Sequence, residues 1–278
     1  MLCDAYTMGM VQLGEVEFVK PWLSVYRLMN DQFSRWFNLN LTICTVMLNA
    51  TNILVRMEVS DYTSFTAHER FEDLYTSSGS IWVYVVAVMI ACGFFIYTIY
   101  SDYWGSKAIY TYMTLPVRRE AIYASKLIAF MLSLIFITAF QLISIRVGHS
   151  IYAHHIDRYA DGMYLMNNGL FLAVIRSSFM RLILPLSWIG FMCTLTILLV
   201  LSTGIYYAVL CERADRRYGA IVSAVAGIAL FDLVRQVTRE DVLDISLVRL
   251  IFVCVLLLSL SGYFIIHSIY LVRRGANV

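Results

Sequence analysis

The sequence contains few charged residues and almost no proline. Of its 278 residues, 14% are charged and three are proline, whereas 60% are hydrophobic. A soluble domain of this length does not need so much apolar surface, so the composition predicts an integral membrane protein. The net charge is only +2, and Lys and Arg form no run that could follow a phosphate backbone, so nucleic acid is not an expected partner.

Several motifs of catalytic and metal-binding proteins are also absent from the sequence. It has no GxxxxGK(S/T) motif and therefore no P-loop for ATP, and neither HExxH nor GxSxG occurs. The six cysteines form no CxxC pair, and their spacing suits neither zinc nor a disulfide framework. We therefore expect no catalytic residues, metal or cofactor on this chain, and we interpret the cysteines as small core residues.

Six charge-free runs predict membrane spans. They indicate an all-α integral membrane protein whose single domain, residues 1–278, contains six transmembrane helices. The predicted spans are residues 36–55, 81–100, 127–145, 182–211, 218–234 and 250–272; the fifth is charge-free only over residues 218–231 and is extended past Asp232 to reach a sufficient length. The fourth has Pro185 in its first turn and is expected to begin with a broken or interfacial piece. The fifth is the shortest, and the alternative to a full crossing is a re-entrant segment.

The distribution of lysine predicts how the spans are oriented. All three lysines (Lys20, Lys107 and Lys126) fall on one side of the six-span layout. Because positive side chains concentrate in cytoplasmic loops, both termini are predicted to be cytoplasmic, in a multi-pass protein of the plasma membrane. No cleavable apolar leader precedes the first span, which we expect to stay in the membrane.

Residues 18–35, ahead of the first span, have an amphipathic pattern. Apolar residues such as Phe18, Trp22 and Met29 recur at helical spacing, and charged residues fall on the other face. This pattern predicts an N-terminal interfacial helix on the cytoplasmic leaflet. A simple membrane anchor is the alternative interpretation.

A polar stripe follows the first span at alternating steps of four and three residues. Its members are Asp31, Arg35, Asn38, Thr42, Thr45, Asn49, Asn52 and Arg56. The spacing places them on one helix face, and such a face cannot be left against lipid without cost. Two interpretations stay open: the stripe lines a substrate path or a cavity between two subunits, or it forms hydrogen bonds that hold helices together.

Two smaller features of the sequence also carry predictions. Gly219, Ser223 and Gly227 form a ridge of small residues in the fifth span, which indicates close helix approach within the chain or between two chains. Asp232 and Arg235 are spaced for an ion pair at the membrane boundary.

Residues 146–181 are expected to form a solvated or interfacial loop outside the membrane. They contain His149, His154, His155, Asp157 and Asp161. These residue types can ligate metals, but no second ligand cluster frames them, so contact with substrate or lipid headgroups is the expectation.

The connection between the second and third spans, residues 101–120, is rich in aromatic and basic side chains. In chain order it contains Asp102, Tyr103, Trp104, Gly105-Ser106, Lys107, Tyr110, Tyr112, Leu115-Pro116 and Arg118-Arg119, and Lys126 follows at the start of the third span. This composition predicts a short cytoplasmic surface helix that ends at Pro116.

This order of residues resembles the coupling-helix motif of membrane subunits of type-2 ABC exporters, although that family usually has glutamate where Asp102 stands. The resemblance implies a permease subunit of an ATP-driven exporter. Its implied partners are membrane lipids, a second permease subunit (the same chain or a sister chain) and a separate ABC ATPase subunit that carries ATP and Mg.

The resemblance also implies roles for the residues singled out above. The motif residues from Asp102 to Arg119 would contact the ATPase subunit. The polar stripe and the small-residue ridge would line the translocation path or the subunit interface. The alternatives are a secondary transporter or channel, which the nearly charge-free spans disfavour, and a non-transporting membrane partner or sensor.

Overall fold

The computed structural model describes residues 21–60, 70–104, 119–159, 169–214, 217–238 and 247–273. Six long helices within these ranges, α1, α3, α4, α7, α8 and α9, are long and apolar enough to cross a membrane. The helices are α1 (Pro21–Ser60), α2 (Phe71–Ser77), α3 (Ser80–Trp104), α4 (Arg119–Tyr159), α5 (Leu170–Arg176), α6 (Ser178–Ile183), α7 (Trp188–Arg213), α8 (Arg217–Thr238) and α9 (Leu247–Arg273). The predicted all-helical, multi-pass architecture is thereby confirmed.

Helix α1 is longer than the predicted first span. It is continuous over 40 residues, which corresponds to about 60 Å and exceeds the thickness of a bilayer core. Residues 21–35, predicted to be a separate interfacial helix, form its first part. No glycine or proline occurs between Trp22 and Ser60, so nothing in the sequence interrupts the backbone hydrogen bonds at the expected junction.

Helices α1 and α4 form a parallel pair in constant register. Asn40 donates a hydrogen bond to Ser133 over 2.8 Å, and the hydroxyls of Thr51 and Ser144 pair further along. Both pairs join residues 93 positions apart, so the two helices run in the same direction. Two helices that cross a membrane in the same direction need a third span between them that crosses in the opposite direction. Helix α3 is that span.

Contacts between the other helices establish their directions in the same way. Phe95 of α3 stacks on Phe130 of α4, and Tyr84 bonds to Thr138, so α3 runs antiparallel to α4. Helix α7 is antiparallel to α4, since Tyr206 contacts Tyr123 while Ser202 bonds to Met131. Helices α7 and α9 are parallel; the pairs are Cys193–Cys254, Thr203–Ser261 and Tyr207–His267.

The short helix α8 connects opposite ends of this parallel pair. Near its start Gly219 packs on Cys211 of α7, and near its end Asp232 lies 3.9 Å from Arg249 at the start of α9. Helix α8 therefore runs the length of the bundle. The start of α1 and the end of α9 lie on one side, called here the terminal side, together with the α3–α4 and α7–α8 connections.

The opposite side, called here the capped side, is covered by short helices. Phe71 and Tyr75 of α2 pack with Val174 of α5, Phe179 of α6 and the far ends of α1 and α4. Residues 146–159, expected to belong to a loop, continue α4, and residues 170–176 and 178–183 are helical. Charged residues limit the membrane-buried part of a helix, but they do not end the helix, so charge-free runs underestimate its length.

The predicted fourth span begins with a broken piece, as expected, because of Pro185. Leu184 has φ −114° and ψ 85°, outside the helical region, as is usual for a residue before proline. Helix α7 starts only at Trp188, and Ser187 caps it by accepting a hydrogen bond from the backbone N–H of Gly190. Pro185 thus lies ahead of the helix rather than in its first turn.

The contact between α7 and α8 predicts how two glycine variants will differ. A Cβ at Gly219 would lie 2.2 Å from Sγ and 2.6 Å from Cβ of Cys211, whereas a Cβ at Gly227 has no neighbour within 4 Å. We expect Gly219→Ala to destabilise the protein by about 1–3 kcal/mol, the usual cost of overpacking. Gly227→Ala should be neutral or slightly stabilising. Thermal unfolding of both variants in detergent measures the difference, and equal midpoints would contradict this helix contact.

The helix directions and the distribution of lysine together predict which positions are accessible from outside the cell. A cysteine replacing the exposed His154 on the capped side should react with a membrane-impermeant maleimide in intact cells. A cysteine at Asn277, beyond α9, should react only after permeabilisation. The wild-type protein provides the background signal from native thiols. Labelling at Asn277 in intact cells would contradict the predicted orientation.

Candidate functional site

The structure describes only the two ends of the predicted ATPase-coupling segment. Asp102, Tyr103 and Trp104 form the last turn of α3, and Arg119 is the first residue of α4. The other predicted coupling residues, Gly105, Lys107, Tyr110, Tyr112, Leu115, Pro116 and Arg118, lie outside the described residues. The two helix ends that flank the segment, the end of α3 and the start of α4, are on the terminal side of the bundle.

Side-chain contacts fix the helix ends from which this segment extends. Tyr100 of α3 donates a 2.6 Å hydrogen bond to Glu212 at the end of α7. Tyr123 of α4 is buried, with its ring edge-on to Tyr206 at 4.6 Å. Lys126 is also buried, 6% exposed. The ends of α3, α4 and α7 are therefore joined to each other on the terminal side.

The polar stripe of α1 faces away from the rest of the chain. Asn38, Thr42, Thr45, Asn49 and Arg56 are exposed, and Asn52 is half-buried. The buried face of α1, which includes Trp36, Cys44 and Met47, lies about half a turn around the helix from the stripe. Among the described residues, the exposed members of the stripe therefore lie on the face of α1 opposite to the one that packs in the bundle.

Three stripe residues form hydrogen bonds to their own helix. Thr42 and Thr45 donate to the carbonyl oxygens of Asn38 and Leu41 at 2.9 and 2.8 Å. Asn49 donates from Nδ2 to the carbonyl of Thr45 at 2.8 Å. These bonds satisfy one donor on each side chain and leave the Asn49 carbonyl oxygen and the two threonine oxygens able to accept further bonds.

Sequence reasoning missed the polar residues that hold α1 to α4. Asn40 and Thr51 are 1% exposed and bond to Ser133 and Ser144. They lie on the apolar face of α1, where isolated polar residues produce no periodic signal. A usable signal is present on α4, where small or polar residues share one face at steps of four, eight, three and four residues: Ala129, Ser133, Gln141, Ser144 and Gly148.

The small-residue ridge of α8 is divided between two environments. Gly219 is buried against Cys211, Ser223 is half-buried, and Gly227 is exposed with open space around it. Nearer the capped side, Asp232 accepts a 2.6 Å bond from Gln236 and pairs with Arg249 instead of the expected Arg235. Arg249 belongs to the neighbouring helix α9, so its proximity to Asp232 cannot be predicted from sequence spacing.

The capped side contains a buried carboxylate and a buried phenol. Glu72 is 7% exposed, and its carboxylate lies 3.8 Å from the guanidinium of Arg176. Tyr75 accepts a 2.6 Å hydrogen bond from Gln141, and burial raises the pKa of Tyr75 above its ordinary value, so the phenol stays neutral. The described residues, which include His149, His154 and His155, contain no group of three side chains able to hold a metal ion.

None of the five described cysteines forms a disulfide and all five are buried, which confirms their interpretation as core residues. A second polar cluster that the sequence did not indicate lies near the terminal side of α9. The ring of His267 stacks near Tyr263 and Tyr270, and its Nδ1 lies 3.1 Å from the hydroxyl of Tyr207. These amphipathic rings are typical of helix ends near lipid headgroups.

Comparison of the chain with protein-family models, curated proteins and solved structures gave no match.

The contrast between Asn40 and Asn49 gives a direct test of which face of α1 holds the fold together. Asn40→Leu removes the buried bond to Ser133 and should destabilise the protein by about 1–2 kcal/mol, the value of an interhelical hydrogen bond in a membrane. Asn49→Leu should leave stability unchanged in dilute detergent, because that side chain is exposed. Thermal unfolding compares the two. Equal destabilisation would mean that the stripe packs inside the fold.

Proposed function

We propose that this chain is the permease subunit of an ATP-driven ABC exporter. Two such subunits, identical or sister chains, would form the translocation path, and ATP and Mg would bind a separate ATPase subunit. The proposal rests on one observation: the α3–α4 connection carries the ordered motif from Asp102 to Arg119 and extends from the terminal side of a six-span bundle.

The surroundings of that connection support its proposed role. The bond between Tyr100 and Glu212, and the contact between Tyr123 and Tyr206, join α3 and α4 to α7 at the base of the connection. A force applied at the connection would therefore act on α3, α4 and α7 together. An exporter needs such a connection because ATP-driven motion in the partner must reorient membrane helices.

The stripe on α1 has a role in the same proposal. It is polar, exposed and within the membrane, so it suits a path or an interface shared with the second permease subunit. The exposed Gly227 on α8 would permit close approach of a neighbouring helix. Gly219 instead contributes to packing within the chain.

A secondary transporter is the main alternative, and it is less well supported. Such proteins typically bind substrate and coupling ions at helices broken near the membrane midplane. The break at Pro185 precedes α7 and lies on the capped side. The carboxylate of α8, on Asp232, lies 3.9 Å from Arg249, and both side chains are at least half-exposed. Such an exposed ion pair is typical of the membrane boundary and not of an ion-binding site at the midplane.

Co-purification of an ATPase tests the proposal. The wild-type protein, isolated from its native membrane in mild detergent, should retain an ATPase subunit. Tyr110→Ala and Tyr112→Ala should weaken that association by about tenfold or more, because tyrosine is a common interface hot spot. Tyr97→Ala is the matched control, since Tyr97 is 64% exposed on α3 within the membrane and should not contact the ATPase.

Quantitative immunoblotting of all variants in the membrane fraction separates lost binding from lost insertion. If the wild-type protein retains no ATPase, or if both loop variants retain as much as Tyr97→Ala does, the exporter proposal is wrong.

A further inference from the structure

The stripe on α1 requires a covering surface, because lipid cannot satisfy its hydrogen-bonding groups. Asn38, Thr42, Thr45 and Asn49 are exposed in the chain. Asn52 is half-buried, and its Oδ1 atom is enclosed within the chain, so Asn52 is not counted among the exposed groups that need a covering surface. Polar groups in contact with hydrocarbon are unfavourable, so the exposed residues face either water or another protein surface.

The spacing of the stripe indicates what kind of surface covers it. From Asn38 to Arg56 the polar residues alternate by four and three, which is a strict 3.5-residue repeat. In a straight helix of 3.6 residues per turn such a repeat drifts around the axis by about 20° per heptad, whereas beside a left-handed supercoiled neighbour it stays in contact. The section from Asn38 to Asn52 is about 21 Å long, which is most of a bilayer core. The partner is therefore a membrane helix that lies alongside α1.

Among the described residues, the other five spans expose some hydroxyl groups but no amide that could pair with the asparagines of the stripe. Their exposed side chains are mainly aliphatic or aromatic and suit lipid, and the exposed hydroxyls include those of Tyr97 on α3 and of Ser259, Tyr263 and Tyr270 on α9. The exposed amides of the described spans thus all lie on α1, and the stripe of another copy supplies the matching donors and acceptors.

The stripe is also chemically suited to pair with itself. An asparagine amide has both donors and acceptors, so two asparagines can bond to each other across a two-fold axis. Asn49 uses one N–H within its own helix, and each threonine hydroxyl retains a free acceptor lone pair. Arg56, which also has the spacing of the stripe, is exposed one turn before the last turn of α1, so solvent near this helix end would screen its charge from a second Arg56.

We propose that two copies of this chain associate through α1, with the stripes packed against each other in parallel. Both copies have the same orientation in the membrane, so the two-fold axis is perpendicular to the bilayer. Thr42, Thr45 and Asn49 each face their own counterpart, as a and d residues do in a parallel coiled coil. The pairing specifies the second subunit required by the proposed function, but it stands whether or not an ATPase binds.

Disulfide cross-linking in native membranes tests this pairing. Thr42→Cys and Asn49→Cys place a thiol on the stripe, whereas Val46→Cys places one on a flank of α1 that is 62% exposed. Ile228→Cys, at a position that is 70% exposed on α8, tests a different helix. With copper phenanthroline as oxidant, the two stripe variants should form a dimer of twice the chain mass. The flank, α8 and wild-type proteins should form at most a tenth as much.

Three results would overturn the inference. They are cross-linking at Ile228 without cross-linking at the stripe, a stripe adduct whose mass shows a different partner chain, and an absence of dimer from both stripe variants. A stripe-linked dimer from a preparation that retains no ATPase would support the pairing while contradicting the exporter proposal. The pairing of two copies and the exporter function can therefore be refuted independently of each other.

A conservative series measures the contribution of the amide itself. Asn49→Leu should lower the dimer association constant in detergent by about threefold to tenfold, the effect of losing an interhelical hydrogen bond. Asn49→Gln should retain most of the affinity, because it keeps both donor and acceptor. Equal dimer affinity in the wild type and Asn49→Leu, measured by analytical ultracentrifugation, would contradict the proposed bonds across the axis.

Discussion

The parallel pairing of α1 and α4 is the contact on which the rest of the architecture depends. Two buried polar bonds, Asn40 to Ser133 and Thr51 to Ser144, hold these helices in one register. In a membrane, polar groups gain little from lipid, so each bond favours this alignment over a neighbouring one. Since the pair is parallel, α3 must return the chain between them. Helices α7 and α9 are also parallel, so α8 must return the chain across the membrane between them.

The sequence predicted the number and order of the spans because membrane insertion leaves a strong signal in hydrophobicity. It predicted helix ends poorly, since α1 and α4 continue through charged and polar residues well beyond the apolar runs. The polar extension of α4 is helical because Phe71 packs against its His149 and Tyr152 side chains at 5.1 and 5.5 Å. Such contacts between distant segments are not visible in local periodicity.

The sequence also predicted only part of the candidate site. Alternating steps of four and three placed Asn38 to Arg56 on one face, but spacing alone does not tell whether that face lies inside or outside the chain. The structure resolves this point through Asn40 and Thr51, which occupy the opposite face and use the small side chains of α4 as partners. The pairing of Asp232 with Arg249 was likewise invisible, because the two residues meet only after α8 and α9 have packed.

The length of α4 has a mechanical consequence. Its 41 residues form a lever of about 60 Å that starts beside the α3–α4 connection and ends on the capped side. A tilt of about 5° at the connection moves the far end by about 5 Å, close to one helical turn. Because two buried hydrogen bonds hold α1 in register with α4, a tilt of α4 would carry α1 with it. A small displacement at one membrane surface is thereby amplified at the other.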